Sequence, residues 1–452
     1  MATQTARARA YRSHSSHFAL LGDNAEKFVA LTLAAIPTLG GTRRGLLVPG
    51  MRISEVLSLV LLGFLIWRLH TSFKFGGALF WALFGYAGVT AAIVAYHWFN
   101  STDLGSHHFL AYGLGPTTLL VSYVAAYAGG AASPGLLLKT CRYLILMATA
   151  MGVLGILQTI DVLGARELAA AVTGNMQVLD VPDWKVPRST GIFHSWHAYS
   201  SYMAVMLVLG AALVAHGLPT FRTVLRHQLC IFIIAVGLAS ALTFGTLLLG
   251  IIGVAYFLIR KGRVVQAMVG CIAAYFVFRS TPLSDDFSAR LVWQESTRSQ
   301  YPFLPQTVAF RLELWARDFL PLFESNPIFG YGPIRDSDRV FSSVESMYVL
   351  ALVVTGAVGF LALLAFLLLA LVKVSRYWRD WKGMDARPIG PVSEALGLCL
   401  LGLVVLMFIH PYLNDAGSSE LVVVLLGICG GNDLLAKACG VSASFQGQGL
   451  CR

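Results

Sequence analysis

Charge is what this chain has least of. Of its 452 residues only 12% are Asp, Glu, Lys or Arg, against roughly 25% in an average soluble protein. A soluble globule built this way would need core helices with almost no polar face, so that class is set aside. No C-x-x-C pair occurs among the seven cysteines, and the two long polar stretches hold none of them. A disulfide or zinc framework in those stretches is thereby excluded. No repeat period or low-complexity tract stands out, and no soluble catalytic domain is appended.

What the chain has instead is apolar surface, 56% of its residues. It falls in runs of about the 17–25 residues that fit the hydrocarbon thickness of a bilayer. Twelve such runs are read between polar breaks: 28–40, 53–69, 76–97, 109–129, 143–163, 198–217, 228–243, 246–260, 263–279, 347–372, 394–411 and 419–436. The fold class that follows is an all-α polytopic membrane protein of about 12 transmembrane helices. The first run is read as a retained span rather than a signal peptide ending near "PTLGG", because its polar leader is long.

The net charge of +10 would suggest nucleic acid only if the basic residues clustered on a soluble face. Here Lys and Arg sit in the gaps between apolar runs, where the positive-inside rule gives orientation. Lys373, Arg376, Arg379, Lys382 and Arg387 place 373–393 in the cytoplasm. Counting back puts Arg260, Lys261, Arg263, Arg222, Arg226, Lys139 and Arg142 on the same side. Arg43, Arg44 and Arg52 dissent, falling outside. The organisation expected is a cytoplasmic tail 1–27, spans within 28–279 with an outer loop 164–197, a large extracytoplasmic loop 280–346, spans within 347–436, and a cytoplasmic tail 437–452.

The large loop is too long for a mere connector. Its segment "QTVAFRLELWARDFLPLFES" puts Val308, Leu312, Trp315, Phe319 and Leu322 on one helical face and Arg317 on the other. An amphipathic helix is expected there, lying on the outer membrane face or on the bundle, with a stop at Asn326-Pro327. Arg311 borders the apolar stripe and can point beneath the helix.

The candidate chemistry sits at the outer rim. Arg188 precedes the sixth span, where a guanidinium can pair two phosphate oxygens while keeping its charge. Gly191, three residues on, permits a close backbone approach or an unusual turn. His194 and His197 are i, i+3 neighbours if the helix has already begun there, fit to hydrogen-bond a substrate or serve as a base. His97, His107 and His108 form a weaker outer cluster. Glu345, at the outer start of the tenth span, is a carboxylate a boundary can partly desolvate. Asp336-Ser337-Asp338 resembles a D-x-D metal motif in letters only, acidic turns of this kind being common, and for a metal site at His194 and His197 no third ligand at a recognisable spacing appears.

In this order the pieces resemble the bacterial O-antigen ligase and O-antigen or exopolysaccharide polymerase superfamily. The R-x-x-G signature is Arg188-Ser189-Thr190-Gly191. The loop signature is Arg311, Trp315, Asn326-Pro327, Gly330 and Gly332, and the following span matches at Tyr348, Leu350, Gly356 and Gly359. The resemblance covers residues 183–372. The chain departs from it where Trp196-His197 replaces Pro-Asn, where Thr243-Phe244-Gly245 replaces Ser-Arg-Gly, and where Glu345-Ser346 replaces His-Asn before the tenth span.

The resemblance implies a glycosyltransferase of the bacterial inner membrane with its active site facing the periplasm. Its donor is an undecaprenyl-diphosphate-linked oligosaccharide, its acceptor a sugar hydroxyl, and neither metal, cofactor nor nucleic acid takes part. Loss of the ligase histidine tilts the expectation towards a repeat-unit polymerase. On this reading Arg188 and Arg311 neutralise the leaving diphosphate and Glu345 deprotonates or orients the acceptor hydroxyl. Gly191, His194, His197, Trp315, Tyr331 and Arg335 contact substrate, with a flippase or chain-length regulator of the same pathway as further partners. The alternatives are a ligase transferring polymer to lipid A-core and a transporter of polyprenyl-linked substrate. A transporter calls for ionisable residues at mid-span, inverted repeats and broken helices.

Overall fold

The structure is a computed structural model, and it describes residues 20–100, 112–179, 188–218, 224–262, 306–334, 344–381 and 388–438, with isolated residues between 279 and 292. Among these residues every regular element is helical. In lipid each backbone N–H and C=O must find its partner within its own segment, and a helix provides that. The principal helices are α1 (Asp23–Thr38), α2 (Ile53–Leu69), α3 (Gly77–Asn100), α4 (Leu114–Ala132), α5 (Leu136–Thr159), the short α6 (Ala165–Thr173), α7 (Trp196–Ala215), α8 (Val224–Ser240) and α9 (Phe244–Arg260). After them come the loop helices α10 (Gln306–Leu314) and α11 (Leu320–Ser325), then α12 (Met347–Trp381), α13 (Ile389–Leu406) and α14 (Ser418–Ala438).

Six of these are long and apolar enough to cross a membrane: α3, α5, α7, α12, α13 and α14. The other apolar runs on described residues are helical too, but shorter or less apolar. The run 263–279 lies outside the described residues save Arg279, as do Arg335, Asp336, Asp338, His107 and His108. Several boundaries differ from the hydropathy reading. Helix α5 starts at Leu136, taking in Lys139 and Arg142, because long basic side chains carry their charge past an apolar stem. Helix α13 stops at Leu406, so the run read as 394–411 ends in a turn holding His410.

Contacts between helix ends sort the bundle into two ends. At one, Gly40 abuts Gly417 and Gly41 abuts Phe193, while Met347 N–H donates to the Met407 carbonyl at 2.9 Å. At the other, Leu20 N–H reaches the Ala132 carbonyl at 3.0 Å and Asn432 Nδ2 donates to Ser133 at 3.3 Å. The first is called the site end below. Helices α7 and α14 run through the centre, 83% and 78% buried, whereas α3 and α5 are each 39% buried. Apolar surface on α3 and α5 is left for lipid. The dissenting Arg44 sits at the site end with its guanidinium on Glu55, 2.7 Å away.

Two local devices shape the bundle. Helices α4 and α14 meet backbone to backbone: a Cβ on Gly431 would stand 2.2 Å from the Tyr127 carbonyl, and one on Gly130 would stand 2.6 Å from that of Ile428. Small residues drive such packing where lipid removes any hydrophobic gain. The second device breaks α12. Gly356 adopts φ 63° and ψ −164° inside the helix, freeing backbone groups that must be satisfied elsewhere. The Pro327–Tyr331 loop supplies them. Tyr331 N–H donates to the Val353 carbonyl at 2.8 Å, and the Ala357 and Val358 N–H groups donate to Pro327 and Ile328 at 2.9 and 3.2 Å. A Cβ at Gly330 would lie 2.5 Å from the Gly356 nitrogen, so neither glycine tolerates a side chain.

The large-loop helix packs on the bundle. Leu314, Phe319, Ile334 and Val344 form a cluster with Val94 of α3 and Val353 and Val354 of α12. The expected face is corrected in part. A π turn at Trp315–Phe319 separates α10 from α11, and its extra residue rotates the stripe. Ala309, Leu314 and Phe319 are the buried positions, while Val308 and Leu312 are half-buried.

Candidate functional site

The R-x-x-G segment is held by its backbone. Gln158 Oε1, at the end of α5, accepts from both the Thr190 and Gly191 N–H groups at 2.9 Å, and Gln158 Nε2 donates to the Gly191 carbonyl at 2.8 Å. Ser189 N–H donates to the Ser240 carbonyl at 3.2 Å. Gly191 takes φ 55°, and a Cβ there would press on the Tyr199 ring at 3.0 Å. Gly191 is buried and its peptide is engaged on both sides, so it shapes the turn.

Helix α7 begins at Trp196, capped by Ser195, whose Oγ accepts from the Ala198 N–H at 3.0 Å. His194 therefore precedes the helix and is not the i, i+3 partner of His197. Its side chain is exposed, and its carbonyl accepts from Asn175 at 2.7 Å. The Arg188 guanidinium lies over the Trp196 ring, 4.8 Å from its centroid, an attraction between a cation and the ring face. His197 stacks on His410 at 3.9 Å with the planes 22° apart.

The turn between α13 and α14 completes this wall. His410 Nε2 is 2.8 Å from Asp415 Oδ2, and its ring meets Tyr412 edge-on at 4.8 Å. Sequence reasoning missed His410 and Asp415. Hydropathy absorbed the histidine into the eleventh span, although "HPYLNDAG" is dense in turn residues.

From the other side comes α10. Arg311 pairs with Glu345, and its Nη1 donates to the Thr307 carbonyl at 2.9 Å. The guanidinium is near enough to act electrostatically on His197 and on Tyr412. Burial pushes the Tyr412 phenol well above its ordinary range, Asp415 adding to that and Arg311 opposing it. Trp315, one turn on, and Tyr331 pack against the second apolar cluster. His97 faces Gly332, where a Cβ would stand 2.6 Å from the imidazole.

The residues named from sequence thus divide. Arg188, His197, Arg311 and Glu345, with Trp315 one turn from Arg311, gather at one end of the bundle. His194 and Gly191 lie beside the wall, the His194 side chain exposed and the Gly191 peptide engaged by Gln158, and Arg335 falls outside the described residues.

One feature of the assembled wall bears on ligands. Trp196 Nε1, His197 Nδ1, Arg311 Nε, Trp315 Nε1 and His410 Nδ1 are all buried without a hydrogen-bond partner among the described residues. An unpaired buried polar group costs about 1–3 kcal/mol, and native structures keep few of them. The two indoles and Arg311 Nε donate in every protonation state and each histidine nitrogen does so according to its tautomer, a set that fits a polyhydroxylated or anionic ligand. Among the described residues no group of three or more His, Cys, Asp and Glu is placed to hold a metal ion. No family model and no curated protein sequence matches this chain.

Proposed function

We propose that the chain is a membrane glycosyltransferase that polymerises undecaprenyl-diphosphate-linked oligosaccharide repeat units into surface polysaccharide, at the periplasmic face of a bacterial inner membrane. The observation that carries this reading is the set of five buried, unpartnered nitrogens around Arg311, flanked by the Arg188 cation over Trp196. Arg188 and Arg311 are the groups to meet the departing diphosphate, where fixed cations aimed at developing charge supply the largest catalytic term. Glu345, held by Arg311, orients the acceptor hydroxyl. The Trp196 and Trp315 indoles offer donors and flat apolar surface to a sugar.

Transport fits less well. A broken helix is one of its marks, and α12 is broken. The freed backbone groups of α12 are filled by the chain's own 327–331 loop, however, instead of opening on a cavity for a solute.

The test is deletion in the source bacterium followed by a gel of surface polysaccharide. A polymerase mutant leaves single repeat units on the acceptor or loses the polymer. Accumulation of polymer on undecaprenyl diphosphate would instead point to the ligase, and an unchanged pattern would remove both.

A further inference from the structure

Resting on that reading, the geometry points to His410 as the general base that takes the acceptor hydroxyl proton, with Asp415 as its orienting partner. A base needs a free lone pair, a fixed ring and a group that steadies the positive charge it acquires. His410 has all three. Its Nε2 lies 2.8 Å from the Asp415 carboxylate, and the two side chains are only 14% and 15% exposed. That contact fixes the tautomer: Nε2–H donates to the carboxylate, so Nδ1 carries the lone pair. Nδ1 is buried and without a partner among the described residues. The ring is clamped flat under His197 and edge-on by Tyr412.

Glu345 is less suited to the proton. Its carboxylate already holds the Arg311 guanidinium, and protonating it would break that pair while the diphosphate needs Arg311 in place. The charges facing His410 also balance. Asp415 compensates the imidazolium, and the Arg311 charge, next to His197 and Tyr412, is paired with Glu345. The step closes as follows. The acceptor O–H proton passes to His410 Nδ1, the oxygen forms a bond to the donor anomeric carbon, and the bond from that carbon to the diphosphate oxygen breaks with its electron pair. Undecaprenyl diphosphate leaves beside Arg188 and Arg311, and the imidazolium returns its proton to solvent.

The lipid-linked oligosaccharide that accumulates in a deletion strain serves as donor for detergent-purified protein, and released undecaprenyl diphosphate is measured. His410→Gln keeps a hydrogen bond to Asp415 but cannot accept the proton, so kcat falls about 100-fold or more with KM for the donor little changed. Asp415→Asn falls by about 10-fold or more. Added imidazole restores part of the rate lost in His410→Ala, which a merely structural role would not permit. A His410→Gln rate within about 3-fold of wild type, or a His410→Ala loss that imidazole leaves untouched, overturns the assignment. Wild-type protein that releases no undecaprenyl diphosphate overturns the glycosyltransferase reading itself.

Discussion

At the end of the bundle opposite the site, Glu394 accepts from Tyr256 at 2.8 Å, lies 3.3 Å from His216 and pairs with Arg260. Nearby, Asp433 accepts from Trp381 Nε1 at 2.9 Å and from Lys437 at 2.8 Å, and Lys139 bridges Asp23 and Glu26 at 2.8 and 2.7 Å. At the site end the same residue types meet differently. The Trp196 and Trp315 indoles, both histidine Nδ1 atoms and the Arg311 Nε stay unpartnered. Burying a charge without its complement is expensive, so carboxylates closed by partners from neighbouring helices act as joints between those helices. Glu26 Oε1 is open at the opposite end as well, but the site end gathers five such atoms, which together store an unmet need for hydrogen bonds. On the proposed reading the chemistry belongs to the site end, which also carries a closed pair of its own, Arg44 with Glu55, and substitutions can test that division.

The largest effect on turnover is expected at Arg311. Arg311→Ala removes the cation proposed to meet the diphosphate and leaves Glu345 without its guanidinium. Loss of one electrostatic stabiliser costs about 10²–10³ in kcat. Undecaprenyl diphosphate release should fall by about that factor. A variant that folds and turns over normally would strip the site end of its special status.

Both partners of this ion pair were legible in the sequence, though separated by the whole turn-rich loop. Arg311 stood at the edge of a helical stripe and Glu345 at the mouth of a span, and counting spans put both on one side. The break in α12 was not legible. Gly356 lies in "LALVVTGAVG", an apolar run that hydropathy reads as unbroken helix. What opens it is the Pro327–Tyr331 backbone arriving from outside the helix, a contact that no periodicity encodes. His410 was hidden for a related reason. Its neighbours "LMFI" carry the apolar run past the last residue of α13, and stacking on His197 depends on two helix ends meeting in space. Gly191 was read as a place of close backbone approach or an unusual turn, and the turn is there, set by Gln158.

A smaller effect on turnover is expected where the loop plugs the broken helix. Gly356→Ala places a Cβ against the Ile328 carbonyl at a backbone conformation that costs an L-residue about 1–2 kcal/mol, before any displacement of the loop is counted. The shift moves α10 and α11 relative to α7, so turnover should drop by about 10-fold, since displacements of about 1 Å can cost up to 10²-fold. Limited proteolysis of the 306–334 segment should accelerate in parallel. Unchanged proteolysis alongside lost turnover would mean that Gly356 acts by another route.

At the opposite end, stability and turnover should separate. Glu394→Ala leaves Arg260 and His216 without their carboxylate. Removing one partner of a buried pair costs about 3–5 kcal/mol, and about 3 kcal/mol is expected because Arg260 is 27% exposed. The melting temperature in detergent should fall clearly, while kcat per folded molecule stays within about 2-fold of wild type, since none of the described groups named at this end lies at the proposed site. A large loss of kcat at full folding would show that the two ends are coupled and that the division of labour is wrong.

The smallest effect is expected from the residue that most resembles Arg311. Arg317 lies six positions on along the same loop helix, beyond the start of the π turn, and its side chain is 64% exposed. Its guanidinium reaches no helix of the bundle among the described contacts: Nε and Nη2 donate to the adjacent Asp318 at 2.6 and 3.0 Å. Asp318 is only 8% exposed, but the Arg317 half of the pair lies in solvent, which screens it, so the pair adds little to the fold. Arg317→Ala should leave both turnover and melting temperature at wild-type values. Composition and hydropathy treat the two arginines alike, so the comparison isolates what position contributes. If Arg317→Ala were as damaging as Arg311→Ala, charge on the loop as a whole would matter, and the ion pair with Glu345 would lose its claim to a particular role.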